Sequence, residues 1–288
     1  MRRAWRTVAL VTATVALLLP GRVAVAEPGL AGANDWTCTP SASHPRPVVL
    51  VHGSGSDIYR AFPVLAVLLR AEGYCVFARN IGGVPAWYDP SKIVWGTADI
   101  RRSGDELRSF VDEVRARTGS TQVDIVGHSS GGTVARQYLK NGGAGAVRSL
   151  VLVSSANNGT TFAGLRGLYP DLASLGMRED QIAGQVFGAA GTQMQVGSTL
   201  LADLDAGGQT IAGVRYTAIA TRDDEVATPP ETAFLAAADN VRNVWVQDGC
   251  PTNRVAHGSM LIDPRALHLV LAALDPDYGR THTPPCAS

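Results

Sequence analysis

The stretch Val123-Asp124-Ile125-Val126-Gly127-His128-Ser129-Ser130-Gly131-Gly132 decides how the rest of the chain is read. Its first four residues form a short apolar strand, and a helical run follows as far as Lys140, where Asn141-Gly142-Gly143 stops it. Between them lies G-x-S-x-G. In a strand–turn–helix context this spacing has a steric cause: the serine sits on a sharp, strained turn, and Gly127 and Gly131 let strand and helix approach closely. Ser129 is thereby presented to whatever enters from above.

Outward from this elbow the chain alternates strand-like with helix-like pieces. Val48-Val49-Leu50-Val51, closed by His52-Gly53, reads as a buried strand, Pro63 to Arg70 as a helix and Tyr74 to Ala78 as the next strand. From Thr97, the residues Ile100, Leu107, Phe110, Val111 and Val114 recur at helical spacing while Arg101, Asp105, Arg108, Asp112 and Arg115 face away, as in an amphipathic helix packed on a sheet. Further strands are expected at Val147 to Val153, Tyr216 to Ala220 and Val241 to Val246, and a final helix from about Pro264 to Leu274, with proline in its first turn. The alternation predicts a mainly parallel sheet with helices on both faces. From Asn157 to Gly213 the pattern blurs, and that segment fits either a small cap or acyl-binding wall over the site, or ordinary helices on the sheet.

At the N terminus Arg2, Arg3 and Arg6 precede a low-polarity run from Val8 to Leu19, ended by Pro20-Gly21 and followed by Ala24-Val25-Ala26. This is a signal-peptide pattern over residues 1–26, with the cut before Glu27. The run is short for a membrane span, which typically needs about 20 apolar residues. Cleavage would remove Arg2, Arg3, Arg6 and Arg22 and no acid, turning a balanced chain of 25 basic and 25 acidic residues slightly acidic. That argues against nucleic acid or a polybasic membrane contact. Residues 27–288, in a chain 45% apolar, suit a single α/β domain, expected to be monomeric.

Four cysteines in an exported chain argue for two disulfides. Cys38 lies just before the first strand and Cys75 inside the second, while Cys250 and Cys286 flank the C-terminal segment. Pairing by neighbourhood gives Cys38–Cys75 and Cys250–Cys286. No ligand spacing suggests a metal, and no motif calls for a cofactor.

A serine hydroxyl is a weak nucleophile unless a base takes its proton, and the base needs an acid to fix its tautomer. Among the histidines after Ser129, His257 lies in the loop between the last strand and the last helix, whereas His268 falls within a helix and His282 in a proline-rich tail. His257 is therefore the expected base, and His268 and His282 surface or core residues. For the acid, Thr221-Arg222-Asp223-Asp224-Glu225 offers three consecutive carboxylates at a strand end, and Asp248 follows the next strand. Spacing does not choose among them, and the unused ones are expected to be solvated charges or a local cap. Acyl transfer also develops negative charge on a carbonyl oxygen, which backbone N–H groups can bind. Ser130, after the nucleophile, and Ser54, in the loop His52-Gly53-Ser54-Gly55-Ser56, are the expected donors, with His52 holding that loop.

VVLVHGSGSD at Val48 to Asp57, GYCVFA at Gly73 to Ala78, VDIVGHSSGG at Val123 to Gly132, NNGTT at Asn157 to Thr161 and RYTAIATRDDEVATP at Arg215 to Pro229 together resemble secreted actinobacterial lipases of the class 2 lipase family. The resemblance runs from about Trp36 to the C terminus and is weakest at residues 79–95 and 169–197. It implies the α/β-hydrolase fold and extracellular, cofactor-free hydrolysis of neutral ester or lipid substrates. It selects Asp224 as the acid and matches Ser129, His257 and the oxyanion loop at Ser54. One departure is Arg79-Asn80-Ile81-Gly82-Gly83 where relatives commonly carry a tyrosine-glycine pair, with Trp87, Tyr88 and Trp95 crowding the stretch beyond; this bears on substrate preference more than on chemistry. Two rivals remain for such a sequence: an acyltransferase using the same three residues in a drier site, and a non-catalytic surface domain, which would have no reason to keep all three.

Overall fold

The inner strands of the main sheet are mostly apolar and buried because both of their faces are covered, as in Val48–Val51, whereas the edge strand Val241–Trp245 leaves Arg242 and Asn243 exposed. The computed structural model describes residues 29–286 apart from Trp87, so the expected signal peptide, its cut before Glu27 and the Trp87 side chain lie outside the described residues. In chain order the elements are β1 (Val48–Val51), α1 (Ile58–Ala61), α2 (Leu65–Ala71), β2 (Val76–Ala78), β3 (Val84–Ala86), β4 (Asp89–Val94), α3 (Ile100–Thr118), β5 (Val123–His128), α4 (Ser130–Tyr138), β6 (Val147–Val153), α5 (Leu165–Leu168), α6 (Pro170–Ser174), α7 (Glu179–Gln193), α8 (Thr199–Asp205), β7 (Arg215–Ala220), β8 (Val241–Trp245), α9 (Pro264–Leu274) and α10 (Pro276–Thr281). Six strands form one sheet in the order β2-β1-β5-β6-β7-β8, and every neighbouring pair is parallel.

Side chains alternate along each strand and so divide the core in two. Val49, Val51, Ile125, Leu150 and Leu152 pack with Leu107, Phe110 and Val111 of α3 and Val134 and Tyr138 of α4. Val48, Leu50, Val126, Val151 and Val153 pack on the opposite face with Leu65 and Leu69 of α2 and Val270 and Leu271 of α9. Helix α3 starts where the Asp99 carboxylate accepts the Arg101 N–H at 2.7 Å and stops at Gly119, whose φ is 70°. The helix expected to reach Lys140 ends at Tyr138 and runs on as one wide turn, Leu139–Gly143.

The chain leaves β1 for β2 on one side and returns to β5 on the other. Loops therefore diverge above the carboxyl ends of β1 and β5 and open a crevice there, the usual place for a ligand in an open parallel sheet. Two disulfides fasten the periphery. Cys38–Cys75 ties the segment before β1 to the entry of β2, and Cys250–Cys286 ties the loop after β8 to the C-terminal segment. Each closes a loop of 37 or 36 residues, worth about 4 kcal/mol on loop-closure grounds. Among the described residues no helix is long and apolar enough to cross a membrane.

Residues 157–213 combine the two readings open to them. Helix α8 buries Leu200, Leu201 and Leu204 in the core, while α7 bends over the crevice at Gly188 (φ 60°, ψ −145°). A side chain at Gly188 would place its Cβ 2.6 Å from the Thr97 carbonyl oxygen, so glycine is what allows that close passage. The region around Trp95, where no strand is legible, contains the antiparallel hairpin β3–β4.

Candidate active site

Strand β5 ends at His128, and α4 begins at Ser130, leaving Ser129 alone in the turn with φ 54° and ψ −131°. A non-glycine residue held there costs roughly 1–3 kcal/mol and persists only where its surroundings enforce it. They do so here by close packing. A Cβ on Gly127 would lie 2.7 Å from the Gly132 backbone, and one on Gly131 would lie 2.6 Å from the His52 carbonyl oxygen. The Ser129 N–H donates to the Val153 carbonyl at 2.9 Å, which fixes the turn to the end of β6.

Three chain segments then meet. The loop after β8 brings His257 so that Nε2 is 3.0 Å from Ser129 Oγ, and the turn after β7 brings Asp224, both of whose carboxylate oxygens lie 3.0 Å from His257 Nδ1. With Nδ1–H donated to the carboxylate, Nε2 is the free acceptor for the serine hydroxyl. Burial alone would raise the Asp224 pKa. The hydrogen bond and charge of His257, with N–H donors from Ala227 (2.7 Å) and Val226 (3.0 Å), outweigh it and hold the carboxyl below its ordinary value.

The rivals for the acid point elsewhere. Asp223 faces Arg254 at 3.7 Å, and Asp248 faces Arg222 at 3.4 Å and caps the Trp245 N–H. Glu225 is not a solvated charge but a local cap: its Oε2 accepts the backbone N–H of His257, the first residue of the helical turn His257–Ser259, at 3.0 Å. His268 is buried against Tyr278, and His282 stacks on the outer side of the same ring.

Beside the serine, the β1 loop carries Ser54 and the helix start carries Ser130. As the first residue of α4, Ser130 has no intrahelical acceptor for its N–H. The Ser54 hydroxyl donates to the Gly96 carbonyl at 2.7 Å, so in its 2.8 Å contact with Ser130 Oγ it must accept. That chain links the two expected oxyanion donors to each other and to the end of the β3–β4 hairpin, whose Trp95 carbonyl also accepts the Gly55 N–H at 2.9 Å. His52 holds the loop from below, with Nδ1 2.9 Å from the Gly53 carbonyl and Nε2 accepting the Ile81 N–H at 3.1 Å. Burial keeps His52 neutral, which this acceptor role requires.

His128, the last residue of β5 before Ser129, is buried with its Nε2 3.1 Å from the His257 carbonyl oxygen, and the two rings lie 5.0 Å apart. Burial, followed by repulsion from His257, pushes its pKa down to about 3. The crevice above Ser129 is a cavity of about 290 Å³. Its wall is largely apolar, with Phe162, Phe187, Met194, Val226, Leu261 and Ile262 facing Ser54 and Ser129. Among the described residues no cluster of histidine, cysteine or carboxylate groups is placed to hold a metal ion.

Such a site invites comparison with known proteins. The family model described as lipase (class 2) matches residues 45–259. A triacylglycerol lipase of Burkholderia plantarii is 28% identical over 148 residues, covering 50% of this chain and 37% of the relative. One of Vibrio cholerae serotype O1 is 24% identical over 226 residues, covering 75% and 59%. The matches thus span between about a third and three fifths of these relatives' length. Among solved structures, Aspergillus fumigatus lipase B superposes with a TM-score of 0.58 at 18% identity, covering 84% of this chain and 54% of that one, a likeness of fold. The fold is that of the α/β-hydrolases, and the chain belongs to the class 2 lipase family.

Proposed function

We propose that this chain is a secreted serine carboxylester hydrolase, a lipase or esterase, acting on neutral ester or lipid substrates without cofactor. The observation that carries the reading is the unbroken relay from Ser129 Oγ through His257 to Asp224, at 3.0 Å per step, on the floor of an apolar cavity. Ser129 Oγ attacks the ester carbonyl carbon while His257 Nε2 takes its proton. The N–H groups of Ser130 and Ser54 receive the oxyanion as it forms. Collapse expels the alcohol, which leaves with the proton from His257. Water then attacks the acyl-enzyme, giving a proton to His257, and the acid departs as Ser129 is restored. Asp224 stays ionised throughout, orienting the imidazole and stabilising its cation.

The same proposal includes export, a signal peptide over residues 1–26, one catalytic domain over 27–288 acting as a monomer, and kinship with the secreted actinobacterial members of the family. Arg2, Arg3, Arg6, the apolar run from Val8 and the two disulfides support export. The test is hydrolysis of a p-nitrophenyl ester chain-length series by the wild type and by Ser129→Ala. Turnover should fall by about 10⁴-fold or more in the variant with the fold retained. A few per cent of residual activity would remove Ser129 as nucleophile. Ester product in place of free acid, when an alcohol acceptor is added, would mark a transferase.

A further inference from the structure

His257 sits in a single helical turn, His257–Ser259, within the long loop between β8 and α9. That loop offers no strand or long helix to hold it, yet the base must keep Nε2 within 3.0 Å of Ser129 Oγ. Two side chains grip the peptide groups on either side of its Cα. The Glu225 carboxylate accepts the His257 N–H at 3.0 Å, and the His128 ring donates Nε2–H to the His257 carbonyl at 3.1 Å. Among the described residues, that carbonyl otherwise receives only the Met260 N–H at 3.5 Å. Each gripping residue is chain-adjacent to a member of the triad, His128 to Ser129 and Glu225 to Asp224. The backbone of the base is thereby referenced to the same two strand ends that carry the nucleophile and the acid.

We propose that His128 and Glu225 are positioning residues that fix the direction of the His257 Cα–Cβ bond and so the Ser129–His257 contact, a role that rests on the reading of Ser129 and His257 as nucleophile and base. Nε2 is the far tip of the ring, so a small rotation at Cα is magnified there, and small misplacements of reacting groups cost large factors in rate. Because the grip acts on the His257 backbone, its loss lowers kcat. Glu225 is not among the residues lining the cavity, so its loss does so without weakening substrate binding, whereas His128 also lines the cavity. What His128 must supply is an N–H at the position of Nε2. Glutamine can place one there and phenylalanine cannot. What Glu225 must supply is an acceptor, which glutamine retains and alanine lacks.

The experiment measures kcat and KM for p-nitrophenyl butyrate, and separately the rate at which a fluorophosphonate labels Ser129, in the wild type, His128→Phe, His128→Gln, Glu225→Ala and Glu225→Gln, with thermal melts confirming the folded state. Expected are losses in kcat of about 30-fold for His128→Phe and about tenfold for Glu225→Ala, with KM within about twofold for Glu225→Ala. His128→Gln and Glu225→Gln should stay within about threefold of the wild type, and labelling rates should follow kcat. A folded His128→Phe with wild-type kcat, a His128→Gln as impaired as His128→Phe, or a Glu225→Ala loss that falls on KM would overturn the proposal. Should the wild type hydrolyse no ester yet label at Ser129, the ester-hydrolase reading fails while the labelling series still decides the grip. Absence of labelling in the folded wild type overturns both.

Discussion

Two aspartates are buried at opposite ends of the same sheet, and they are held in opposite ways. Asp224, beyond the carboxyl end of β7, has both oxygens against His257 Nδ1 and one of them also accepting two backbone N–H groups. Asp124, near the amino end of β5, receives Arg46 Nε on Oδ2 at 2.9 Å and has the Ser149 hydroxyl beside it, while its Oδ1 has no hydrogen-bond partner among the described residues. The outcome is opposite too. Burial dominates at Asp124 and raises its pKa despite Arg46, whereas at Asp224 the donors outweigh burial and lower it. Burial therefore does not by itself make a carboxyl group functional or inert. The count and aim of its donors decide whether it remains an anion. The carboxyl end of the sheet supplies those donors because its loops turn sharply enough to point N–H groups inward.

The sharpest way to break this contrast is to remove the charge where it is held best. Asp224→Asn keeps the shape but presents an amide to His257 Nδ1, which favours the wrong tautomer. A drop in kcat of about 10³–10⁴-fold is expected, with KM little changed. Asp223→Ala and Asp248→Ala should remain within about tenfold, roughly 1.4 kcal/mol of barrier. If either of those is the inactive variant while Asp224→Asn turns over normally, the roles given to the carboxylates are wrong.

That choice also marks how far the sequence could be read. Ser129 was legible because strand, glycine-flanked serine and helix are contiguous, and His257 because it alone among the later histidines falls in a loop after a strand. Asp224 was not legible from spacing. Three consecutive carboxylates leave the chain in different directions, and the local turn in which Asp224 Oδ1 caps Val226 and Ala227 selects the inward one. Only family resemblance pointed to it beforehand. The hairpin β3–β4 was missed because Val84–Ala86 and Asp89–Val94 carry a proline each and little alternation; pairing and the Gly55–Trp95 and Ser54–Gly96 bonds hold it, and no local pattern reports those. Helix α7 was blurred by Gly184, Gly188 and Gly191, which break the apolar period. The roles of His128 and Glu225 depend on contacts with the His257 backbone across more than thirty residues of sequence in each case, a relation no spacing rule encodes.

The contrast sharpens with pH. His128 has a native pKa of about 3 against an ordinary value of 6.5, so below pH 6.5 the unfolded chain takes up a proton that the native chain refuses. Its contribution to stability is whole above pH 6.5 and is lost as the pH falls towards 3, at about 1.4 kcal/mol per pH unit. His52, also lowered by burial, acts in the same direction, and Asp224, lowered from 3.8, adds a loss only below that value. Asp124 has the opposite sign, since its raised pKa favours the native state in acid. Urea unfolding at pH 7, 5.5 and 4.5 should show the wild type losing stability relative to His128→Gln by about 1.4 kcal/mol for each unit below 6.5. A difference that stays constant across this range would mean that the buried imidazole is protonated in the native protein.

The smallest effect is expected at the amino end of the sheet. Asp124→Asn removes a desolvated charge from a site that opposes it, and the asparagine oxygen can still accept from Arg46. Breaking a fully buried ion pair usually costs about 3–5 kcal/mol because the surviving partner is left charged in a dry site. Arg46 is not in that position: its side chain is 27% exposed and can turn towards water, while the Asp124 side chain is only 2% exposed. The substitution should therefore change stability at pH 7 by less than about 1 kcal/mol and leave kcat within about twofold, since Asp124 lies at the amino end of β5 and Ser129 follows its carboxyl end. Relief of an unfavourable charge predicts further that the variant loses its relative advantage as the pH falls, because the wild-type carboxyl, its pKa raised by burial, takes up its proton earlier than an ordinary aspartate. Denaturant midpoints for the two proteins at pH 7 and pH 4.5 give both quantities. A loss of several kcal/mol at pH 7 would show Asp124 to be a stabilising anion after all, and would erase the distinction between the two ends of the sheet.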